Sequence, residues 1–316
     1  MNENDSKYEH YRLIVSKEQS PIRIDKYICS KIKYATRNKV QNAIKNKNVL
    51  VNENPIKNHY YIKPDDIITI LFSSPPKEKT NIDPQNIKLD IVYEDNDFIV
   101  INKPSGMLTH PSLSVYKDTL LNALIFYFKN LEQDNLLDNV GLVHRLDKYT
   151  SGLIIIAKTV ISLKTLTEQF LNHSIKRKYI ALVHGKIRES EGTINAPIEN
   201  NISLNRVNIS KKGKRAVTHF RVLKTNEHFS LIECELETGR THQIRVHLEY
   251  LGFPLVGENV YIKANNYNLE IENKVKIIKE GQFLHSYYMK FFHPVLDKYI
   301  EIISDIPDTF KNLIDY

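Results

Sequence analysis

Residues 141–159 read GLVHRLDKYTSGLIIIAKT, a stretch that predicts two β-strands joined by a turn. The second strand, GLIIIAKT, is apolar enough to lie in the centre of a sheet. The first strand, VGLVHRL, ends in a turn that brings His144, Arg145 and Asp147 close together. A turn aspartate commonly accepts backbone N–H bonds, so a structural interpretation of Asp147 stands beside a catalytic one at this point.

Length and composition define the class of protein. The chain has 316 residues, of which 41% are hydrophobic, enough for one large domain and one small one. No apolar run is long enough for a membrane span, and the polar start MNENDSKYEH does not read as a signal peptide, so we expect a cytoplasmic protein. Cys29 and Cys234 are too few for a disulfide framework and predict buried thiols.

Positive charge is concentrated near the N-terminus. Residues 1–87 hold 15 Lys and Arg against 10 Asp and Glu, whereas the remaining residues hold 29 against 27. Within residues 23–47 a single acid, Asp25, accompanies eight cations. This density suits a polyphosphate partner, and a solvated lysine-rich surface explains it equally well. The candidate RNA contacts are Arg23, Lys26, Arg37, Lys39, Lys45 and Lys47.

The local pattern of this region favours RNA. IRIDKYICSKI and TRNKVQNAIKNKN predict two short helices, the second capped by Thr36, and VLVNENPI and DIITILF predict strands. Residues 13–72 resemble the S4 RNA-binding domain, a small α/β module. Pro75, Pro76 and the polar residues after them predict a linker over 73–87.

Residues 88–316 read as a strand-rich domain. Strands are predicted over Leu89–Tyr93, over Phe98–Ile101 and in KYIALVHG and SLIECELETG. A helix is predicted over 160–173, and a later one in RTHQIRVHLEYLG, capped by Thr241 and ending at Gly252.

Several motifs of this domain together resemble the RluA-type pseudouridine synthases, which isomerise uridine in RNA. They are INKPSGMLTHP, HRLDKYTSGLIIIAKT, KRKYIALVHGKI, KKGKRAVTHFRV, LETGRTHQIRVHLEYLGFPLVGENVY and FLHSYYMKFFHP, in the family's order. The resemblance implies an α+β fold with a mixed, mainly antiparallel sheet and flanking helices. It also implies that the catalytic aspartate is Asp147.

The same resemblance assigns the other site residues. Arg240 corresponds to the arginine that pairs with the aspartate, Tyr179 to the tyrosine that stacks on the base, and Arg145 to the arginine that fills the place of the extruded nucleotide. His144 is expected to support the loop, and Thr241 belongs with the substrate-binding candidates. Ile244 is expected to line the base pocket, although a position in the helix core explains it equally well.

The resemblance is greatest to enzymes that modify large-subunit ribosomal RNA, so ribosomal RNA or a pre-ribosomal particle is the expected partner of a monomer. Those enzymes more often read Gly-Asp-Pro-Val-Tyr-Gly-Gly where residues 257–263 read GENVYIK. We expect this departure to leave the chemistry unchanged. Transfer RNA or another RNA stays open as the substrate, and so does a non-catalytic RNA-binding role.

Uridine isomerisation is redox-neutral and consumes no water, so we expect neither a cofactor nor a metal. A metal hydrolase is the competing interpretation of the many histidines. The spacing of His242 and His247 argues against it, because they are five residues apart rather than the four of a zinc-binding helix. Whether Asp147 attacks C1′ or removes a sugar proton is left open by the sequence.

Overall fold

The computed structural model describes residues 8–32, 35–72, 82–112, 115–130, 141–201, 206–262 and 281–315. The chain divides into two compact units between Asn81 and Ile82. Pro75, Pro76 and the rest of residues 73–81 lie outside the described ranges. Residues 82–87, assigned to a linker from the sequence, belong to the second unit, where the Gln85 N–H donates to the Asn122 carbonyl.

The first unit combines two helices with a four-stranded antiparallel sheet in the described ranges. Its elements are β1 (Tyr8–Ile14), α1 (Ile24–Lys31), α2 (Arg37–Lys45), β2 (Val49–Val51), β3 (Asn54–Pro55) and β4 (Ile67–Phe72), with strand order β1-β4-β2-β3. Thr36 caps α2 as predicted, because its Oγ1 accepts the Lys39 N–H. Strand β1 was not predicted, so the unit begins before residue 13.

The second unit contains a nine-stranded sheet within the described residues. Its strands and helices are β5 (Ile91–Glu94), β6 (Phe98–Lys103), α3 (Leu120–Asn130), β7 (Ser151–Ala157), α4 (Val160–Leu171), β8 (Lys176–His184), β9 (Glu191–Asn195), β10 (Ile198–Asn201), β11 (Arg206–Ile209), β12 (Val217–Thr225), β13 (Phe229–Leu236), α5 (Gln243–Tyr250), β14 (Leu284–Phe292), β15 (Tyr299–Ile303) and α6 (Asp308–Asp315).

The strand order in this sheet is β5-β6-β7-β14-β8-β13-β12-β9, and β15 also pairs with β14. Strands β7 and β14 are parallel, and the other described pairs are antiparallel. Strands β10 and β11 form a separate antiparallel pair. The predicted α+β fold with a mixed, mainly antiparallel sheet is therefore confirmed.

Helices cover both faces of the large sheet. On β8, Tyr179 and Ala181 pack in one core cluster with α3 and α5, whereas Ile180 and Leu182 pack in another with α6. Alternate side chains of a strand point to opposite faces, so α5 and α6 lie on opposite sides of the sheet. Strand β7 is buried along its whole length, as expected of a central strand.

Two local predictions were wrong. Residues 141–146 do not form a strand: Leu142 alone bridges to Ile156, because the Ile155 N–H donates to Nε2 of His144 rather than to a backbone carbonyl. Thr241 does not cap α5. The helix begins at Gln243, and its N-cap is His242, in the left-handed region at φ 54°.

In the part of the chain that the structure describes, every helix is too short or too polar to span a bilayer.

The single acid of the basic region, Asp25, is fully buried and organises the first unit. Its carboxylate accepts hydrogen bonds from Arg23, Arg37 and Gln41, the last at 2.8 Å. Burial alone would raise the pKa of Asp25, but the hydrogen bonds from Gln41, Arg23 and Arg37 outweigh it and lower that pKa below its usual value. This carboxylate therefore joins the start of α1 to α2.

We predict that Asp25→Asn lowers the free energy of unfolding of the first unit by about 1–3 kcal/mol, because the charged hydrogen bonds to the carboxylate are lost. A group with a depressed folded pKa stabilises fully above its unfolded pKa and loses that effect as the pH falls through its folded pKa. The difference between wild type and variant should therefore shrink below pH 4.

Urea unfolding of the full chain at neutral and acidic pH measures both effects. Glu9→Gln is the matched control, because the Glu9–Arg12 pair is exposed on both sides. Equal stability of the two variants at neutral pH would contradict the role of Asp25.

Candidate active site

The loop that carries Asp147 is held by the motif INKPSGMLTHP. Lys103 is fully buried at the end of β6, and its Nζ donates to the Lys148 carbonyl at 3.2 Å. The Thr109 hydroxyl donates to the Leu146 carbonyl at 2.9 Å. Side chains of this motif thus fix the backbone on both sides of Asp147, which explains how a loop outside the sheet ladder holds a defined position.

Arg245 is the cation that contacts Asp147. Its Nη1 donates to Oδ2 of Asp147 at 3.2 Å. The guanidinium also makes two parallel hydrogen bonds of 2.7 Å each to the Glu258 carboxylate. Burial disfavours the charge, but Glu258 first and then Asp147 raise the pKa of Arg245. One buried cation therefore joins two carboxylates.

The Glu258 carboxylate is held in place by the backbone of the two residues that follow it. Its Oε1 accepts the N–H groups of Asn259 and Val260. Burial alone would raise the pKa of Glu258, but Arg245 and these N–H groups lower it. The preceding Gly257 has φ 74°, and a Cβ there would lie 2.2 Å from the Gly281 carbonyl oxygen, so only glycine fits.

The predicted pairing of Arg240 with Asp147 was wrong. The Arg240 Nε donates to the Arg215 carbonyl at 3.0 Å, although the side chain lines the same cavities as Asp147. Arg240 lies before α5, whereas Arg245 lies in its first turn, facing the loop. The sequence did contain a signal for Arg245: it stands between the apolar residues Ile244 and Val246. An arginine in such a position is expected to be buried, and a buried charge requires a partner.

Glu258 was also missed. It lies in the GENVYIK stretch and holds Arg245, so this stretch contributes to the site, whereas the expectation that its departure leaves the chemistry unchanged stays a prediction.

His242 lies between Tyr261 and Asp147. The Tyr261 hydroxyl accepts the Val207 N–H at 3.3 Å and lies 2.8 Å from His242 Nδ1, so its own hydrogen is free to point at that nitrogen. Burial lowers the pKa of His242. A neutral ring whose Nδ1 accepts from Tyr261 carries its hydrogen on Nε2, which is 3.6 Å from Oδ1 of Asp147.

Two adjoining cavities, of about 80 and 440 Å³, share Asp147, Tyr179 and Arg145. Tyr179 is buried, and burial raises its pKa, so its phenol stays neutral at physiological pH. Arg145 is exposed. The structure thus brings the predicted aspartate, tyrosine and loop arginine to one place.

The remaining predicted site residues divide by exposure. Ile244 is buried in the core cluster and also lines the smaller cavity, so its position fits both interpretations. Thr241 is exposed and lines the larger cavity. His144 stacks on Phe170 with ring centroids 4.3 Å apart, and burial, assisted by the charge of Arg177, lowers its pKa to about 3. His144 therefore supports the loop as a neutral ring.

Among the described residues, Asp95, Asp97 and His293 bring potential metal ligands close together. Their atoms are already used in hydrogen bonds. His293 Nδ1 accepts the N–H groups of Val295 and Leu296, which leaves Nε2 to donate to Asp95 at 3.0 Å. This cluster has a structural explanation.

The basic residues of the first unit form two groups. Arg23 and Arg37 are paired with Asp25. Lys26, Lys39, Lys45 and Lys47 are exposed, and the structure shows no ion-pair partner for them within the described ranges. The lysines are therefore the freer charges of that surface.

Comparison with known proteins gives consistent matches. A model of the RNA pseudouridylate synthase family matches residues 97–250, and a model of the S4 domain matches residues 22–68. An uncharacterised RNA pseudouridine synthase of Bacillus subtilis is 38% identical over 304 residues, covering 96% of both chains. The ribosomal large subunit pseudouridine synthase D of Zymomonas mobilis is 34% identical over 309 residues, again with 96% of both chains covered.

Among solved structures, human RNA pseudouridylate synthase domain containing 1 aligns with a TM-score of 0.55 and 26% identity, covering 72% of this chain and 86% of that one. Together these matches confirm the resemblance that the motifs predicted.

We predict that Glu258→Gln lowers the free energy of unfolding of the second unit by roughly 3–5 kcal/mol, because it removes one partner of a buried ion pair. Urea unfolding at neutral pH measures the change. Glu237→Gln is the control, because Glu237 pairs with Arg215 on the surface, and little change is expected there. A stable Glu258→Gln protein would show that Arg245 does not depend on its partner.

Proposed function

The chain belongs to the RNA pseudouridine synthase family, and we propose that the uridine it isomerises lies in large-subunit ribosomal RNA. The supporting observation is its full-length similarity to an enzyme named ribosomal large subunit pseudouridine synthase D. The S4 match at residues 22–68 adds a module suited to structured RNA. Mapping pseudouridines in total RNA with and without the gene tests the assignment, and a lost modification in transfer RNA alone would overturn it.

The proposed catalytic residue is Asp147. Pseudouridine formation breaks the N1–C1′ bond, turns the base and forms a C5–C1′ bond, while C5 loses a proton and N1 gains one. Arg245 occupies Oδ2 of Asp147, so Oδ1 is the oxygen more open to the substrate. This oxygen either attacks C1′ or removes a sugar proton, and both routes use a single carboxylate.

Tyr179 and Arg145 have proposed roles on either side of Asp147. Tyr179 borders both cavities, where a ring can stack on the uracil. Extruding a uridine from folded RNA costs a few kcal/mol of stacking. The exposed guanidinium of Arg145 can occupy the vacated position, because its plane both stacks and donates hydrogen bonds.

A non-catalytic RNA-binding role is the second candidate. The complete arrangement of Asp147, Arg245 and Glu258 argues against it, because a buried ion pair that no longer served catalysis could be replaced by apolar residues without loss of stability. The proposed working form is a cytoplasmic monomer.

We predict that Asp147→Asn reduces pseudouridine formation below detection while folding and RNA affinity change little. Asparagine keeps the size of the side chain and can neither attack nor remove a proton. Mass spectrometry of RNA from a strain that lacks the gene and carries the variant measures turnover. Substantial product from this variant would contradict the catalytic assignment, whereas unfolding of the protein would favour the structural-turn interpretation.

We predict that removing residues 1–81 leaves the second unit folded and weakens its affinity for RNA. The slope of log affinity against log salt should fall by roughly 0.7–0.9 for each phosphate contact that is lost. A full-length variant with Lys39, Lys45 and Lys47 changed to Gln is the matched control, because it removes charge without removing the unit. An unchanged slope in both proteins would exclude this face from RNA binding.

A further inference from the structure

Arg177 is a buried cation that the active-site network does not use. It lies on β8 with 7% of its surface exposed. The structure shows no ion pair or hydrogen bond for its guanidinium within the described ranges, and its buried Nε has no acceptor. Arginine is rarely buried without a partner, because removing its charge from water is unfavourable. An anion from outside the chain would satisfy it.

The position of Arg177 connects it to the active site. It lies two residues before Tyr179 on the same strand, and both side chains line the 440 Å³ cavity that contains Asp147. The guanidinium lies over the ring of Phe170, with Cζ 5.4 Å from the ring centroid. The guanidinium thus packs near an aromatic ring, a contact that arginine commonly makes.

The backbone of Gly239 packs closely against the Arg177 guanidinium. A Cβ at this residue would lie 3.1 Å from Nη1 and 3.3 Å from Nη2 of Arg177. A larger residue would therefore push the guanidinium out of its place in the cavity wall. The backbone of Gly239 has no positive φ, so the need for glycine here is one of space. Because Arg177 lines the cavity, a phosphate oxygen there can accept a hydrogen bond from its guanidinium.

The charges around the cavity favour an anion. The nearest acids on the neighbouring strand are already paired: Glu233 and Glu235 bind Lys178 and Lys176. Burial first, and then the charges of Arg177, Arg240 and Arg215, lower the pKa of His173 beside the cavity. Asp147 is the carboxylate of the cavity, and its Oδ2 is taken by Arg245.

We propose that Arg177 binds a phosphodiester of the RNA backbone next to the extruded uridine. The inference rests on the proposed function, in which Asp147 acts on that uridine. A phosphate at Arg177 and a ribose at Asp147 would be held in one cavity, so this contact would set the position of the sugar relative to the carboxylate. Arg177 is thus a positioning residue for the substrate backbone.

The experiment compares two probes and three variants of the full chain. The probes are the trinucleotide UpUpU and its analogue in which neutral methylphosphonates replace both phosphodiesters, and NMR titration at low salt measures their affinities. The wild type should bind UpUpU about tenfold more tightly than the neutral analogue, as expected for charge-assisted hydrogen bonds.

Arg177→Met should abolish this preference for the charged probe. Gly239→Ala should reduce it, because the added methyl group would lie 3.1 Å from Nη1 and displace the guanidinium. Lys176→Met is the matched control: it removes a charge one residue away whose side chain is exposed and bound to Glu235, and it should keep the preference. Thermal unfolding checks that each variant is folded.

The wild type binding both probes equally would overturn the proposal, and so would an Arg177→Met protein that keeps the preference. If Arg177→Met fails to fold, Gly239→Ala decides, since it retains the arginine: an undiminished preference in that variant overturns the proposal. Asp147→Asn should retain the preference. Its activity therefore tests the proposed catalysis separately from phosphate binding.

Discussion

The active site depends on one buried arginine that lies between two carboxylates. Arg245 on α5 binds Glu258 through two hydrogen bonds and Asp147 through one. Removing a guanidinium from water is unfavourable by several kcal/mol unless its donors are satisfied. Glu258 supplies the larger share of that compensation. Asp147 therefore needs to give Arg245 only one of its oxygens, and the other is left for chemistry.

The same constraint explains features far from the cavity. Glu258 reaches Arg245 because the chain makes a tight approach at Gly257, against the Gly281 carbonyl, where no side chain fits. Asp147 reaches Arg245 because the loop backbone is fixed from the opposite side, where Lys103 and Thr109 bind its carbonyls. Segments that are distant in sequence thus meet at one arginine, Arg245.

The sequence predicted what depends on local pattern. Apolar runs located β6, β7 and β8, and the Thr36 cap followed from residue type alone. The errors arose where a side chain from elsewhere replaced a backbone partner. His144 takes the N–H of Ile155 that a strand would have used. Helix α5 begins one residue later than a Thr241 cap would place it, and Arg245 in its first turn, rather than Arg240 before it, contacts Asp147. The spacing of residues in the sequence could not identify Glu258, because Glu258 acts on the site only through its contact with Arg245.

Two buried arginines line the two adjoining cavities, Arg245 the smaller and Arg177 the larger, and they differ in their partners. Arg245 is satisfied by acids of its own chain, so its charge is used to hold Asp147. Arg177 packs against Phe170 and Gly239 but has no acid of its own within the described residues. A low-dielectric site strengthens a completed ion pair and penalises an incomplete one. Arg245 therefore has its ion pairs in the free enzyme, whereas Arg177 gains an ion pair only when the phosphate of the substrate binds. The favourable free energy of binding the RNA backbone at Arg177 thereby helps to hold the uridine next to the carboxylate that acts on it.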